Sequence, residues 1–496
     1  MAISLPEILL GLYLFTLLGM CVFGLHKVKM LWLYLRASRR GSPPHAAWSG
    51  PTPKVCVQCP LFNEPLVVEA LLERVTALRW PQGLLEIQVL DDSTDETTEI
   101  IDRWLKANPD RAVNVKHICR PKREGYKAGA LAYAMKLTDA EFFAIFDADF
   151  RPEPEFLETL MPHFSDAKVG VVQARWEFSN RRASLLTRFQ AIFLDAHFVV
   201  EQAARCSAGL FFNFNGTAGI WRREALEDAG GWTPDTVTED LDASYRAQLR
   251  GWRFVYLPDY AVNSELPENL TAFKSQQRRW TKGGIQVMRK QLAAILRSDV
   301  PGRIKREAAA HLLVGFIHPL LVLFSIIFVP YLLIGARVPG GWLVFNPVVV
   351  VLTSGVTVAL YITGQYFRQR QWREGLLLFV TAPLMLAFGL AMSVTCCLAV
   401  CEGLSQRGGE FVRTPKGGRA VTAGGLLSRF RSRTLFAALT LVELALGLVM
   451  LGGAIHFGRH DAALLASVLV VKATGFLGIA LISTSDMLPR SSEARA

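Results

Sequence analysis

At 496 residues with 51% hydrophobic side chains and a mean hydropathy of +0.27, the chain is too apolar for a wholly soluble enzyme. It is also long enough for one large soluble domain beside a membrane part. The net charge of +11 collects beside apolar spans (Lys27, Lys29, Arg36, Arg39 and Arg40, then Arg407, Arg413, Lys416, Arg419, Arg429, Arg431 and Arg433), which marks cytoplasmic membrane edges and argues against a nucleic-acid partner.

In chain order, an apolar run from Leu5 to Val22 followed by Lys27 and Lys29 reads as a signal anchor with its N-terminus outside, so residues 1–40 form a transmembrane anchor. Residues 41–53, with Gly41-Ser42-Pro43-Pro44, read as a linker. From 54 to 297 short apolar strands (Val55–Cys59, Ile87–Leu90, Phe142–Phe146, Val169–Gln173) alternate with helical stretches, which predicts an α/β domain with a mainly parallel sheet flanked by helices. Ligands of such a sheet gather at the carboxyl ends of its strands, where Asn63, Asp91 and Asp147 fall. Cys56-x-x-Cys59 sits inside the first strand, so strand packing accounts for it better than zinc or redox chemistry.

Apolar stretches follow at His311–Ala336, Leu343–Phe367, Leu376–Val400, Thr434–Phe457 and Ala462–Ser483. Five crossings after a cytosolic domain would put the Arg-rich loop at 402–433 outside, against its charge. The expectation is therefore one N-terminal and four C-terminal spans, with Leu376–Val400 lying along or re-entering the membrane. Residues 298–401 are then interfacial and transmembrane helices, and 434–496 a C-terminal hairpin and tail. Glu443 and Lys472 fall at similar depths in that hairpin, which predicts a mutual ion pair.

The chemistry-bearing residues come in a fixed order. Asp147-Ala148-Asp149 ends a strand and suits a hard divalent ion (Mg2+ or Mn2+) bridging protein carboxylate and diphosphate. Asp240 in Thr238-Glu239-Asp240 opens a helix, where an acid also suits the helix dipole. In an inverting sugar transfer one carboxylate takes the acceptor hydroxyl's proton, the role expected of Asp240. Gln276, Arg279 and Trp280 share one helix face, so a guanidinium for diphosphate and a flat ring for a sugar meet one site. Lys127, just before a helix, is expected as a further phosphate contact, the other reading being a solvated lysine.

The series Asp91, Asp147-x-Asp149, Thr238-Glu239-Asp240 and Gln276-x-x-Arg279-Trp280 resembles the membrane-bound family 2 glycosyltransferases of the cellulose synthase superfamily. The likeness is strongest to the cellulose-synthase-like A and C branch (mannan and glucan synthases) and its bacterial relatives. Gln58-Cys59-Pro60-Leu61-Phe62-Asn63-Glu64, Val172-Gln173-Ala174-Arg175-Trp176 and Phe214-Asn215-Gly216-Thr217-Ala218-Gly219 support it. The resemblance implies a GT-A fold joined to a channel-like transmembrane helical domain. It implies that Asn63, Glu64 and Asp91 hold the nucleoside end, Asp147 and Asp149 diphosphate and metal, Asp240 the base, and Gln276, Arg279 and Trp280 the acceptor end and diphosphate. Phe411-Val412-Arg413-Thr414-Pro415-Lys416 resembles the family's gating loop, with Phe411, Thr414 and Lys416 on the matching positions and Arg413 in place of valine.

The expected function is a processive inverting hexosyltransferase that polymerises a β-linked glucan or mannan, through O4, and threads it across an inner or plasma membrane. UDP-glucose and GDP-mannose both suit the site, with UDP-glucose narrowly favoured. The partners are then the nucleotide sugar, the growing polysaccharide and the lipid bilayer, with accessory export proteins as a further option. The alternatives are transfer of one sugar to a lipid carrier, and a transport subunit with a degenerate domain. Intact Asp149, Asp240 and Trp280 speak against the last.

Overall fold

The computed structural model describes residues 4–38, 48, 51–111, 114–334, 348–369, 372–409 and 426–487. The expected gating-loop residues Phe411, Thr414 and Lys416 lie outside them.

The α/β domain is built on a seven-stranded sheet in the order β3-β2-β1-β4-β6-β5-β7. Its strands are β1 (Val55–Leu61), β2 (Leu85–Asp91), β3 (Val115–Cys119), β4 (Phe142–Ile145), β5 (Val169–Phe178), β6 (Gly219–Arg222) and β7 (Arg253–Ser264). β1 pairs in parallel with β2 and β4, β2 with β3, and β5 with β7, while β6 runs antiparallel between β4 and β5. The mainly parallel sheet is therefore as expected. β3, β6 and β7 were not read from the sequence: β3 is half-exposed and carries Lys and His, and β6 has four residues. Alternation along β1 sends Cys56 and Cys59 into the two different cores that cover the sheet's faces, so both are packing residues.

A 28-residue helix, Leu270–Arg297, leaves this domain and enters the helical part. The Asn269 side chain caps its start, and Asp486 Oδ2, at the end of the last helix, accepts from the Leu270 N–H at 3.1 Å. Among the described residues, six helices are long and apolar enough to cross a membrane: Leu5–Ser38, Gly302–Leu333, Val348–Arg368, Leu378–Ser405, Thr434–Arg459 and Ala463–Asp486. The protein is accordingly an integral membrane protein. These helices correspond to the six apolar stretches read from the sequence, and the one near Leu376–Val400 is part of a continuous 34-residue helix, Trp372–Ser405, with Pro383 inside it. This helix is the most enclosed of the six: 67% of its apolar window is buried, against 28–39% for the others. Both flanks of that helix bind the α/β domain. Arg368, just before it, pairs with Glu177 at 3.1 Å. Beyond its other end the Gly408 N–H donates to the Asp235 carbonyl at 2.8 Å.

The hairpin charges do not pair as expected. Glu443 binds Lys274 of the long helix, with Nζ–O distances of 2.7 and 2.8 Å, and Ser483 accepts from the same ammonium at 2.8 Å. Lys472 lies over the rings of Phe324 and Phe328, 4.2 and 3.9 Å from their centroids. Equal depth brings two residues to one level of a hairpin, but the direction each faces around its helix decides the partner. Glu443 faces the long helix.

Candidate active site

The carboxyl ends of β1, β2 and β4 and the approach to β6 form one edge, and a cavity opens along it. It is lined by Glu64, Asp92, Lys127, Asp147, Asp149, Asn215, Gly216, Thr238, Glu239, Asp240, Gln276, Arg279 and Trp280, among others. The acidic motifs, spread over 94 residues from Asp147 to Asp240, thus meet the Gln-x-x-Arg-Trp helix face at one place.

Two expected residues sit behind this surface. Asp91 is buried, with Oδ1 accepting from the Ser93 N–H at 2.9 Å and Oδ2 from Thr98 Oγ1 at 2.6 Å and facing His117 Nε2 at 3.1 Å. Burial pushes its carboxyl up, but the hydrogen bonds from His117, Ser93 and Thr98 outweigh this and hold it at about 2. Asn63 adopts a left-handed backbone (φ 58°), and its Oδ1 accepts from the Thr94 N–H at 2.8 Å while its own N–H donates to Ser93 Oγ at 2.9 Å. Its side chain therefore ties the loops after β1 and β2 together.

At the centre, Lys127 Nζ sits 2.5 Å from Asp147 Oδ1 and donates to the Gly216 carbonyl at 2.8 Å. Gly125, in a left-handed conformation at φ 70°, precedes the helix Tyr126–Met135 that carries this lysine. Burial lowers the Lys127 ammonium's pKa, yet the charges of Asp147, Glu239 and Asp240 more than restore it and leave it raised. Asp149 Oδ2 accepts from Ser264 Oγ at 2.9 Å, which fixes that carboxylate at the end of β7.

Asp240 lies in the first turn of the helix Glu239–Leu249. Burial and the adjoining Glu239 push its carboxyl up to about 7 against the opposing charges of Lys127 and Arg279. Gly216 (φ 83°) makes room for it, since a Cβ there would stand 2.9 Å from Asp240 Oδ2. Gly283 of the long helix does the same for Thr238, as an added Cβ would come within 2.3 Å of Thr238 Cγ2. The turn that carries Asp240 and the long helix are thus in direct backbone-scale contact.

Further lining residues had no individual role in the sequence reading: Arg123, Trp176, Phe178, Asn180, Asn215 and the stretch 264–269. Arg123 stacks 3.3 Å over the Phe62 ring. Trp176 Nε1, Asn215 Nδ2, Thr238 Oγ1 and Gln276 Oε1 are buried without a hydrogen-bond partner among the described residues. Such atoms are costly in a finished interior and are reconciled by a polar ligand. Trp176 and Asn215 fall inside the motif-like segments that carried the resemblance, and that was the signal available for them.

The mixed sheet with flanking helices and a ligand edge carrying Asp-x-Asp is the GT-A-like architecture. Residues 142–396 match the family described as Glycosyl transferase family group 2, and the chain belongs to that family. It is 41% identical over 326 residues to glucomannan 4-beta-mannosyltransferase 1 of Oryza sativa subsp. japonica, covering 61% of this chain and 60% of the relative. It is 43% identical over 256 residues to glucomannan 4-beta-mannosyltransferase 7 of Arabidopsis thaliana, covering 50% and 45%. The chain therefore spans between about half and three fifths of the length of these curated relatives. Among solved structures, the mannosyltransferase PcManGT from Pyrobaculum calidifontis, in complex with GDP-Man and Mn2+, shares the fold with a TM-score of 0.52 at 22% identity. That likeness covers 70% of this chain and 97% of that one.

Proposed function

We propose that this chain is a processive, inverting β-1,4-hexosyltransferase that extends a mannan-type polymer from a nucleotide sugar and passes it across the membrane. The observation that carries this reading is the single cavity shared by Asp147, Asp149, Asp240 and the Gln276/Arg279/Trp280 face of a helix that enters the membrane bundle. The relatives named as glucomannan 4-beta-mannosyltransferases move the donor preference from UDP-glucose to GDP-mannose.

In this reading Asp240 takes the proton of the acceptor's O4 hydroxyl as that oxygen attacks C1 of the donor sugar. Lys127 and Arg279 supply positive charge to the diphosphate, and Trp280 offers its face to an acceptor ring. Asp147 and Asp149, two carboxylates on one cavity beside unpartnered polar atoms, suit a hard divalent cation such as Mg2+ or Mn2+. When bound, that ion neutralises charge developing on the departing nucleotide. Asp91 and Glu64 serve the nucleoside end, with Asn63 holding the loops that shape it.

The flanks of the helix Trp372–Ser405 bind the α/β domain through Arg368 and Gly408, so we place both ends of that helix on that domain's side of the membrane. The positive-charge pattern supports reading that side as cytosolic.

The test is the purified full chain in detergent, given GDP-mannose or UDP-glucose with Mg2+ or Mn2+, with products sized and digested by linkage-specific glycanases. A long β-1,4-mannanase-sensitive polymer from GDP-mannose is expected. A single sugar on lipid under either donor would sink the polymerase reading.

A further inference from the structure

We propose that Asp91, His117 and Cys119 form a second cation site, suited to zinc and distinct from Asp147/Asp149, whose occupation excludes nucleotide from the donor site. Among the described residues, one group of three metal-ligating side chains lies close enough to share an ion, and it is this one. The sheet builds it. Asp91 is paired in register with Cys119 on the neighbouring parallel strand, and His117 stands two residues earlier on the same face of β3.

The distances fit one tetrahedral ion. Zn–N and Zn–O bonds of about 2.0–2.1 Å and a Zn–S bond of about 2.3 Å put N and O about 3.3 Å apart and S and N about 3.6 Å apart. His117 Nε2 lies 3.1 Å from Asp91 Oδ2 and 3.6 Å from Cys119 Sγ, and all three ligand atoms lie within 4.8 Å of one another. The supporting contacts are also present. Asp102 Oδ1 lies 3.0 Å from His117 Nδ1, the arrangement that directs a metal-binding imidazole and leaves its other nitrogen for the ion. Ser93 and Thr98 orient the Asp91 carboxylate. Cys119 is exposed, so an ion has an entry path. A thiolate and an imidazole select a borderline-soft ion over Mg2+, leaving the carboxylate pair on the cavity to the hard one.

The effect on the donor rests on the reading of Asp91 as part of the nucleoside end. Binding of the ion does not. Cobalt(II) is the probe, titrated into the full chain in detergent with excess Mg2+. One equivalent is expected to give a thiolate-to-cobalt charge-transfer band that zinc abolishes, that Cys119→Ser and His117→Ala lack, and that Asp102→Asn shifts to about 10-fold higher cobalt. GDP and UDP are expected to suppress the band, and zinc to raise the KM for donor with kcat unchanged. A band equally strong in Cys119→Ser, or none in the unsubstituted chain, overturns the site and leaves Asp91–His117–Asp102 as a hydrogen-bonded network. A Cys119-dependent band indifferent to both nucleotides overturns the exclusion and, with it, the nucleoside role of Asp91, while the cation site stands.

Discussion

Gln286 accepts a hydrogen bond from the N–H of Val237 at 3.0 Å, three residues before the candidate base Asp240. The same carboxamide donates to the Gly408 carbonyl at 2.7 Å, and the Gly408 N–H returns to the Asp235 carbonyl at 2.8 Å. One side chain is thus interposed in a backbone bridge that joins the turn before Asp240 to the segment leaving the helix Trp372–Ser405.

Gln286 is buried and does not line the cavity, so its loss acts through position. Gln286→Leu strands the Val237 N–H and the Gly408 carbonyl, at about 1–3 kcal/mol each. Turnover is expected to fall about 10-fold, the effect of roughly 1.4 kcal/mol on the barrier, with the donor KM within a factor of about two. Steady-state kinetics beside a thermal melt check this. An equal rise in KM would mean that the donor site itself had been disturbed.

Asp240→Asn tests the base directly. Transfer is expected to drop by at least about 10²-fold, the usual size of a general-base contribution, while nucleotide affinity measured by calorimetry stays nearly unchanged. Loss of nucleotide binding alongside activity would relocate the base.

The pH profile follows from the same residue. Burial and Glu239 push the Asp240 carboxyl up to about 7, and a base acts only when ionised. The transfer rate is therefore expected to fall about tenfold per unit as pH drops below about 7, and to level off above it. Lys127 opposes that rise, so Lys127→Met moves the acid limb to higher pH as well as weakening donor binding. A limb that stays in place in the variant would separate the two residues electrostatically.

The sequence disclosed what periodicity and spacing carry. Four strands, the α/β class and the shared helix face of Gln276, Arg279 and Trp280 were legible, because strand ends and helix faces follow from local pattern. That these residues meet Asp147, Asp149 and Asp240 came from the order of the motifs and the resemblance they carry. β6 was too short, and β3 too polar, to show period-2 alternation. The Trp176 and Asn215 surfaces were hidden because their lining role depends on tertiary placement. Asn63 was legible as a motif residue, but its hydrogen bonds to Ser93 and Thr94 needed coordinates. The expected Glu443–Lys472 pair failed for a related reason: depth can be counted along a chain, whereas the third helix that supplies Lys274 cannot.

That third helix makes Glu443 consequential for activity. Lys274 and Glu443 are both fully buried, and Lys274 lies two residues before Gln276 on the helix carrying the proposed acceptor face. Removing one member of such a pair leaves an uncompensated buried charge, at about 3–5 kcal/mol, whereas replacing both with apolar residues of similar size is often neutral or better. Glu443→Leu alone is expected to lower the melting temperature in detergent and to cut polymer synthesis. Adding Lys274→Met should recover most of the stability. If the double variant regains stability but makes shorter product, the ion pair holds the helix in register for the acceptor. If it regains both, the pair serves packing, and the acceptor face is set by the Asn269 and Asp486 caps at the helix start.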